Sequence, residues 1–208
     1  MNSQLILGVD FDNTIVRYDE LFHRIAVERG LIPAALPVRK NEVRDFLRRC
    51  GQEQAWTELQ GYVYGPRMPE AQPFPGVLEF FTGCVRRKLP LFIISHKTRA
   101  AVAGPAYDLQ QSARNWLAAQ RVFDPARVGL SPDHVYFGTT RLEKICFIRD
   151  TACTHFIDDL EETFLEETFP RDVVKILFGV REPPPGLAGV QAGADWFQIS
   201  DYVFSTAT

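Results

Sequence analysis

The stretch LILGVDFDNT, residues 5–14, decides the fold. Its apolar half, residues 5–9, is short and continuous, which is typical of a strand buried on both faces of a sheet. Stretches with helical periodicity separate it from further apolar runs at 89–94, 134–137, 154–157 and 173–178. Strands that alternate with helices predict a Rossmann-like α/β core of three layers, with a parallel sheet between two layers of helices.

The segment 18–70 interrupts this alternation. It shows helical patterns at 20–29, 38–50 and 53–60 and no apolar run of the strand type. We therefore expect a core made of residues 1–17 and 71–208, with a small all-helical cap at 18–70 inserted after the first strand. The segment GYVYGPR, residues 61–67, is either a loop that faces the substrate or simple packing beneath the cap hinge.

The composition describes an ordinary globular protein. The chain has 208 residues, of which 46% are hydrophobic and 24% charged, and its net charge is −3. This charge gives no overall attraction to nucleic acid, and no apolar stretch approaches the length of a membrane-spanning helix. Four cysteines without paired spacing and the absence of a signal peptide lead us to expect a cytoplasmic protein with reduced thiols. The oligomeric state stays open.

Polar side chains follow three of the apolar runs directly. Asp10 and Asp12 follow the first run, Ser95 follows the run at 89–94, and Asp158 and Asp159 follow the run at 154–157. Because ligands of parallel sheets bind beyond the carboxyl ends of the strands, we expect these side chains to meet at one rim. Two carboxylates 4 Å apart repel by roughly 4 kcal/mol at an effective dielectric constant of about 20, so a cation should be present. An all-oxygen donor set favours Mg²⁺.

These residues resemble the four motifs of the haloacid dehalogenase (HAD)-like hydrolase superfamily. DFDNT at 10–14 is similar to motif I, IIS at 93–95 to motif II, Lys144 to motif III, and FIDD at 156–159 to motif IV. The resemblance runs from Asp10 to about Asp159 and is most specific in motifs I and IV. Together with the helical insert, it implies the phosphatase branch of this superfamily with a C1-type cap, which closes over the site and excludes bulk water.

The resemblance also implies a role for each motif residue. Asp10 would attack phosphorus and form an aspartyl-phosphate, while Asp12 would protonate the leaving oxygen and then activate the hydrolytic water. The Asp10 carboxylate, the Asp12 backbone carbonyl and Asp158 would hold Mg²⁺. Ser95 would hydrogen-bond a phosphoryl oxygen, and Lys144 would offset negative charge.

Other residues near the motifs have weaker assignments. Asp159 would orient Lys144 or a metal-bound water, and Thr14 would support the loop after the nucleophile. His96, Thr98 and Arg67 are candidates for substrate contact.

The function predicted from these features is an Mg²⁺-dependent phosphoric monoester hydrolase that acts on a small phosphorylated metabolite. Asp12 favours this chemistry over carbon–halogen cleavage, because an alkoxide leaving group needs a proton and a halide does not. Two alternatives stay open. One is a phosphotransferase or phosphomutase of the same superfamily, and the other is a non-catalytic module that binds a phosphorylated ligand or a partner protein.

Overall fold

A computed structural model describes residues 4–186 and 189–206 of the chain. Its strands are β1 (Leu7–Val9), β2 (Val16–Arg17), β3 (Gln72–Pro73), β4 (Leu91–His96), β5 (Val135–Gly138), β6 (His155–Asp158), β7 (Val174–Phe178) and β8 (Val190–Gly193). Its helices are α1 (Asp19–Glu28), α2 (Lys40–Arg49), α3 (Glu53–Tyr64), α4 (Val77–Arg86), α5 (Leu109–Ala119), α6 (Arg141–Asp150), α7 (Glu161–Leu165) and α8 (Trp196–Thr206).

The chain forms two compact units. The first comprises Met1–Val16, Pro73–Lys97 and Arg121–Thr208, and the second comprises Arg17–Gln72 and Thr98–Gln120. The second unit is therefore larger than the predicted cap of residues 18–70, because it also takes in α5. None of the helices in the described ranges has the combination of length and apolar character needed to cross a lipid bilayer.

A six-stranded sheet forms the centre of the first unit. Its strand order is β5-β4-β1-β6-β7-β8, and every pair of neighbours is parallel. Val9 lies opposite Ile93 on one side and Ile157 on the other. The chain segments that leave β1, β4 and β6 thus emerge side by side at one edge of the sheet, as the sequence predicts.

Helices cover both faces of this sheet. Leu177 packs in a buried cluster with Ile145 of α6 and Phe164 of α7. The next residue, Phe178, places its ring 5.5 Å from that of Trp196 in α8. Because successive side chains of a strand point to opposite faces, α6 and α7 lie on one face and α8 on the other. The predicted Rossmann-like α/β architecture is confirmed.

Gly8 allows the sheet to pack closely at its centre. A Cβ atom at this position would lie 2.5 Å from Cδ2 of Phe156 and 2.8 Å from Sγ of Cys153. Only a residue without a side chain fits here, so the glycine in the middle of β1 lets the Phe156 ring lie against the strand that carries the nucleophile candidate.

The second unit contains α1, α2, α3 and α5 within the described residues. The ring of Phe22 in α1 lies 5.2 Å from that of Trp56 and 5.5 Å from that of Tyr64, both in α3. The indole nitrogen of Trp116 in α5 donates to the Ala71 carbonyl at 2.9 Å. Since α3 continues to Tyr64, the first four residues of the 61–67 segment are helical.

Candidate active site

Asp10 and Asp158 are placed by the central strands of the sheet. Asp10 directly follows β1, and its backbone N–H donates to the Ile157 carbonyl at 2.8 Å. Asp158 is the last residue of β6 and is fully buried. After Asp10, the chain turns away from the sheet at Asn13, which adopts a left-handed conformation with φ of 59°. Asparagine tolerates this region better than most residues, so the motif suits the turn.

Lys144 binds both carboxylates. Its Nζ lies 2.6 Å from Oδ1 of Asp10 and 2.6 Å from Oδ2 of Asp158. The lysine lies in the first turn of α6, where the Thr140 side chain accepts a hydrogen bond from the Glu143 N–H and fixes the start of the helix. All three charged groups are buried. Lys144 is thus a partner of the acidic cluster and not a solvated surface lysine.

Ser95 and Lys144 share one oxygen of Asp10. The Ser95 hydroxyl donates to Oδ1 of Asp10 at 2.8 Å, and Oδ1 also accepts from Lys144. Within residues 4–186 and 189–206, no hydrogen bond goes to Oδ2 of Asp10. The structure therefore brings Asp10, Ser95, Lys144 and Asp158 together, and both hydrogen bonds to the Asp10 carboxylate go to the same oxygen.

The ionisation of Asp10 depends on its cationic neighbours. Burial raises the pKa of Asp10 to about 7, Lys144 counteracts this increase, and Asp158 adds to it. Burial alone would lower the pKa of Lys144, but the charges of Asp10 and Asp158 outweigh it and hold that pKa above its usual value. A further cation near Asp10 would favour the ionised carboxylate, which is the form that can act as a nucleophile.

Asp159 lies beside this cluster, and Thr14 binds it. The Thr14 hydroxyl donates to Oδ1 of Asp159 at 3.3 Å and accepts from its backbone N–H at 3.1 Å. Carboxylate oxygens of Asp10, Asp158 and Asp159 all lie within 4.8 Å of one another. Oxygen-only donors at this spacing fit a hard divalent cation such as Mg²⁺. The Asp12 side chain, in contrast, points to a different partner.

That partner is Lys97, which the sequence analysis missed. Its Nζ lies 2.9 Å from Oδ1 and 2.7 Å from Oδ2 of Asp12, and the lysine side chain is only 3% exposed. Lys97 follows Ser95 by two residues, directly after β4. This position after an apolar strand was the available signal, because the same rule selected Ser95 and the aspartates.

The three candidates for substrate contact have separate locations. His96 is exposed, and its Nε2 lies 3.1 Å from the Thr139 carbonyl oxygen. Thr98 and Arg67 belong to the second unit. There, the Arg67 guanidinium pairs with Glu28 at 3.0 Å and with Glu70. Their contact with a substrate stays a prediction.

Known proteins with similar structures share this architecture. A HAD-family hydrolase from Deinococcus radiodurans R1 with bound phosphate and sodium has 12% sequence identity and a TM-score of 0.63, covering 98% of this chain and 96% of that chain. A HAD-superfamily hydrolase from Ehrlichia chaffeensis has 9% identity and a TM-score of 0.60, with full coverage of both chains. An L-2-haloacid dehalogenase has 14% identity and a TM-score of 0.54, covering 98% of this chain and all of that one.

Sequence comparison adds no closer relative, since no protein-family model and no curated protein matches this chain. The structural similarity extends over nearly the entire chain in each of the three proteins, and it confirms the architecture that the motifs imply. The chain therefore has the fold of the HAD-superfamily hydrolases.

Proposed function

We propose that this chain is a hydrolase that cleaves phosphoric monoesters with Mg²⁺ as its cofactor and Asp10 as the nucleophile. The observation that carries this proposal is the arrangement around Asp10. Lys144 and Ser95 bind Oδ1 and fix the carboxylate, and Oδ2 accepts no hydrogen bond from the described residues. Such a carboxylate is positioned for covalent catalysis.

The charges of the cluster support the cofactor. Four carboxylates, those of Asp10, Asp12, Asp158 and Asp159, lie with two ammonium groups, those of Lys97 and Lys144. Among these contacts the carboxylates outnumber the ammonium groups, which favours a further cation at the site. Held by Asp10, Asp158 and Asp159, Mg²⁺ would supply a positive charge that a dianionic phosphoryl group requires near these carboxylates.

The proposed reaction has two steps. Oδ2 of Asp10 attacks phosphorus, the bond from phosphorus to the ester oxygen breaks, and Asp12 gives its proton to the departing alkoxide. In the second step, Asp12 takes a proton from water as the water oxygen attacks the aspartyl-phosphate. Inorganic phosphate leaves, and Asp10 is a carboxylate again. Lys144 and Ser95 hold Asp10 in place during both steps.

Asp12 also favours ester hydrolysis over dehalogenation. One structural neighbour is an L-2-haloacid dehalogenase, so the fold alone does not decide between the two reactions. A halide leaves without a proton, whereas an alkoxide needs one. The carboxyl group two residues after the nucleophile candidate therefore supports a phosphate ester as substrate, and we propose a small phosphorylated metabolite.

A phosphatase screen tests this proposal. Wild type, Asp10→Asn and Asp133→Asn are assayed with p-nitrophenyl phosphate and a panel of phosphorylated metabolites, with Mg²⁺ or with EDTA. Asp133 is exposed and lies outside the cluster, so it serves as the matched control. We expect phosphate release that requires Mg²⁺, persists in Asp133→Asn and is lost in Asp10→Asn.

Three results would each contradict part of the proposal. Equal phosphate release by wild type and Asp10→Asn would exclude Asp10 as the nucleophile. Halide release from 2-haloacids without phosphate release from any ester would identify the other chemistry of this fold. Release of p-nitrophenol that requires a second alcohol, with the phosphoryl group recovered on that alcohol and not as inorganic phosphate, would indicate phosphoryl transfer in place of hydrolysis.

A further inference from the structure

We propose that Lys97 is a phosphate-binding residue that exchanges its partner, leaving the Asp12 carboxylate for the phosphoryl group of the substrate. The inference rests on the proposed function, because it concerns the same site. It adds a residue that the four motifs do not include. It also connects substrate binding with the release of Asp12 for proton transfer.

The contact between Lys97 and Asp12 involves the entire carboxylate. The ammonium nitrogen lies 2.9 Å from one oxygen and 2.7 Å from the other. The Lys97 side chain is 3% exposed, and the Asp12 side chain is 21% exposed. The lysine is thus the buried partner, and the aspartate is the partner that solvent or a ligand can reach.

The backbone directs Lys97 toward the same side of the sheet as Ser95. The Lys97 N–H donates to the Gly138 carbonyl at 2.8 Å, so the pairing of β4 with β5 continues past the last residue of β4. Residues two apart in extended chain point to the same face. Ser95 Oγ contacts Asp10, and Lys97 Nζ contacts Asp12, so one strand end supplies a partner to each aspartate of motif I.

This contact disfavours proton donation by Asp12. A general acid must present an oxygen and its proton to the leaving group, but here both oxygens accept hydrogen bonds from Lys97. The adjacent positive charge disfavours the protonated form of Asp12, so Asp12 is a better proton donor after the ammonium group has moved. A buried ammonium group without an anionic partner is costly, so its movement requires another anion nearby. The dianionic phosphoryl group of the substrate is such an anion.

The proposed exchange and a purely structural ion pair predict different effects of substitutions on phosphate affinity. If Asp12 and phosphate compete for Lys97, then removing the charge of Asp12 should strengthen phosphate binding through Lys97. If the pair only stabilises the fold, the two substitutions should affect phosphate affinity independently. A double-mutant cycle separates these cases.

The experiment is a calorimetric titration with inorganic phosphate in the presence of Mg²⁺. It compares wild type, Lys97→Met, Asp12→Asn and the double variant. We expect Lys97→Met to weaken phosphate binding by about tenfold or more, as for the loss of a charge-assisted hydrogen bond. We expect Asp12→Asn to strengthen phosphate binding relative to wild type. When Lys97 is already replaced by Met, the same substitution should strengthen phosphate binding much less.

The variant Lys97→Arg keeps the test decisive. Arginine preserves the charge, so Lys97→Arg should bind phosphate within a few-fold of wild type even if Lys97→Met is unstable. The proposal is overturned if wild type does not bind phosphate, if Lys97→Met binds it as wild type does, or if the gain from Asp12→Asn is equal with and without Lys97. Turnover is not measured in this cycle, so loss of the Asp10 assignment would be recognised separately.

Discussion

The substitution Lys144→Met should strongly lower the folding stability of this protein. The change removes an ammonium group that lies 2.6 Å from Asp10 and 2.6 Å from Asp158. Asp158 is fully buried and Asp10 is 4% exposed, so water cannot replace the lost partner. Breaking a buried ion pair by removing one partner costs about 3–5 kcal/mol. Asp158 loses the cation that binds it, whereas Asp10 keeps the hydrogen bond from Ser95, so we expect a loss of stability within that range.

Thermal and urea unfolding measure this loss. In a chain of this size, 1 kcal/mol corresponds to roughly 2–4 °C in melting temperature, so we expect the melting temperature to fall by about 10 °C or more. Lys88→Met is the control, because Lys88 is exposed and the substitution should change the free energy of unfolding by less than about 0.5 kcal/mol. A loss below about 1 kcal/mol for Lys144→Met would refute the reasoning that Lys144 stabilises these carboxylates.

Three further predictions concern single groups. Burial raises the pKa of Asp10 to about 7 in the folded chain, against 3.8 for an unperturbed aspartate. Between these two pH values the folded chain holds a proton that the unfolded chain has lost. Without metal, the free energy of unfolding should therefore fall as pH rises from 3.8 to about 7. Mg²⁺ should offset this fall, and melting curves with Mg²⁺ or EDTA at several pH values would show it. Ser95→Ala removes the 2.8 Å hydrogen bond to Asp10 and should lower kcat/KM for a phosphate ester about tenfold or more; unchanged kinetics would contradict its role. Burial raises the pKa of Cys84 to about 12 and that of Cys153 to about 11, so a thiol reagent at about pH 8 should modify exposed Cys50 and reach the other two only after unfolding, as peptide mapping would report.

Five of the six strands of the central sheet could be predicted from the sequence because they coincide with continuous apolar runs. Each of the five predicted runs overlaps a strand of the sheet. The sixth strand, β8 (Val190–Gly193), was missed because it is a short segment of mixed residues, VQAG. Its pairing with β7 stabilises it, and such pairing leaves no local pattern in the sequence.

The second unit shows a different limit of sequence patterns. Residues 109–120 have helical periodicity and form α5, but this periodicity does not show in which unit the helix packs. The contact of Trp116 with Ala71, which places α5 in the second unit, joins residues far apart in sequence.

At the candidate site, the rule that polar residues follow buried strands located Asp10, Ser95 and Asp158. Lys144 lies on a helix, where the rule does not apply, and only the resemblance to a known motif selected it. Lys97 also follows a buried strand directly. Lysine side chains are usually exposed to solvent, so a lysine at this position did not by itself predict a site residue.

The central position of β1 affects how the protein is made. β1 ends at Val9, but one of its two neighbours in the sheet, β6, begins only at His155. While the chain between them is being synthesised, one edge of β1 therefore lacks its native partner, and exposed strand edges are sites of aggregation. The acidic centre also forms late, because its first carboxylate and the lysine that neutralises it are separated by 134 positions. Assembly of this sheet therefore requires pairing between segments that are far apart in sequence, and such long-range pairing is intrinsically slow.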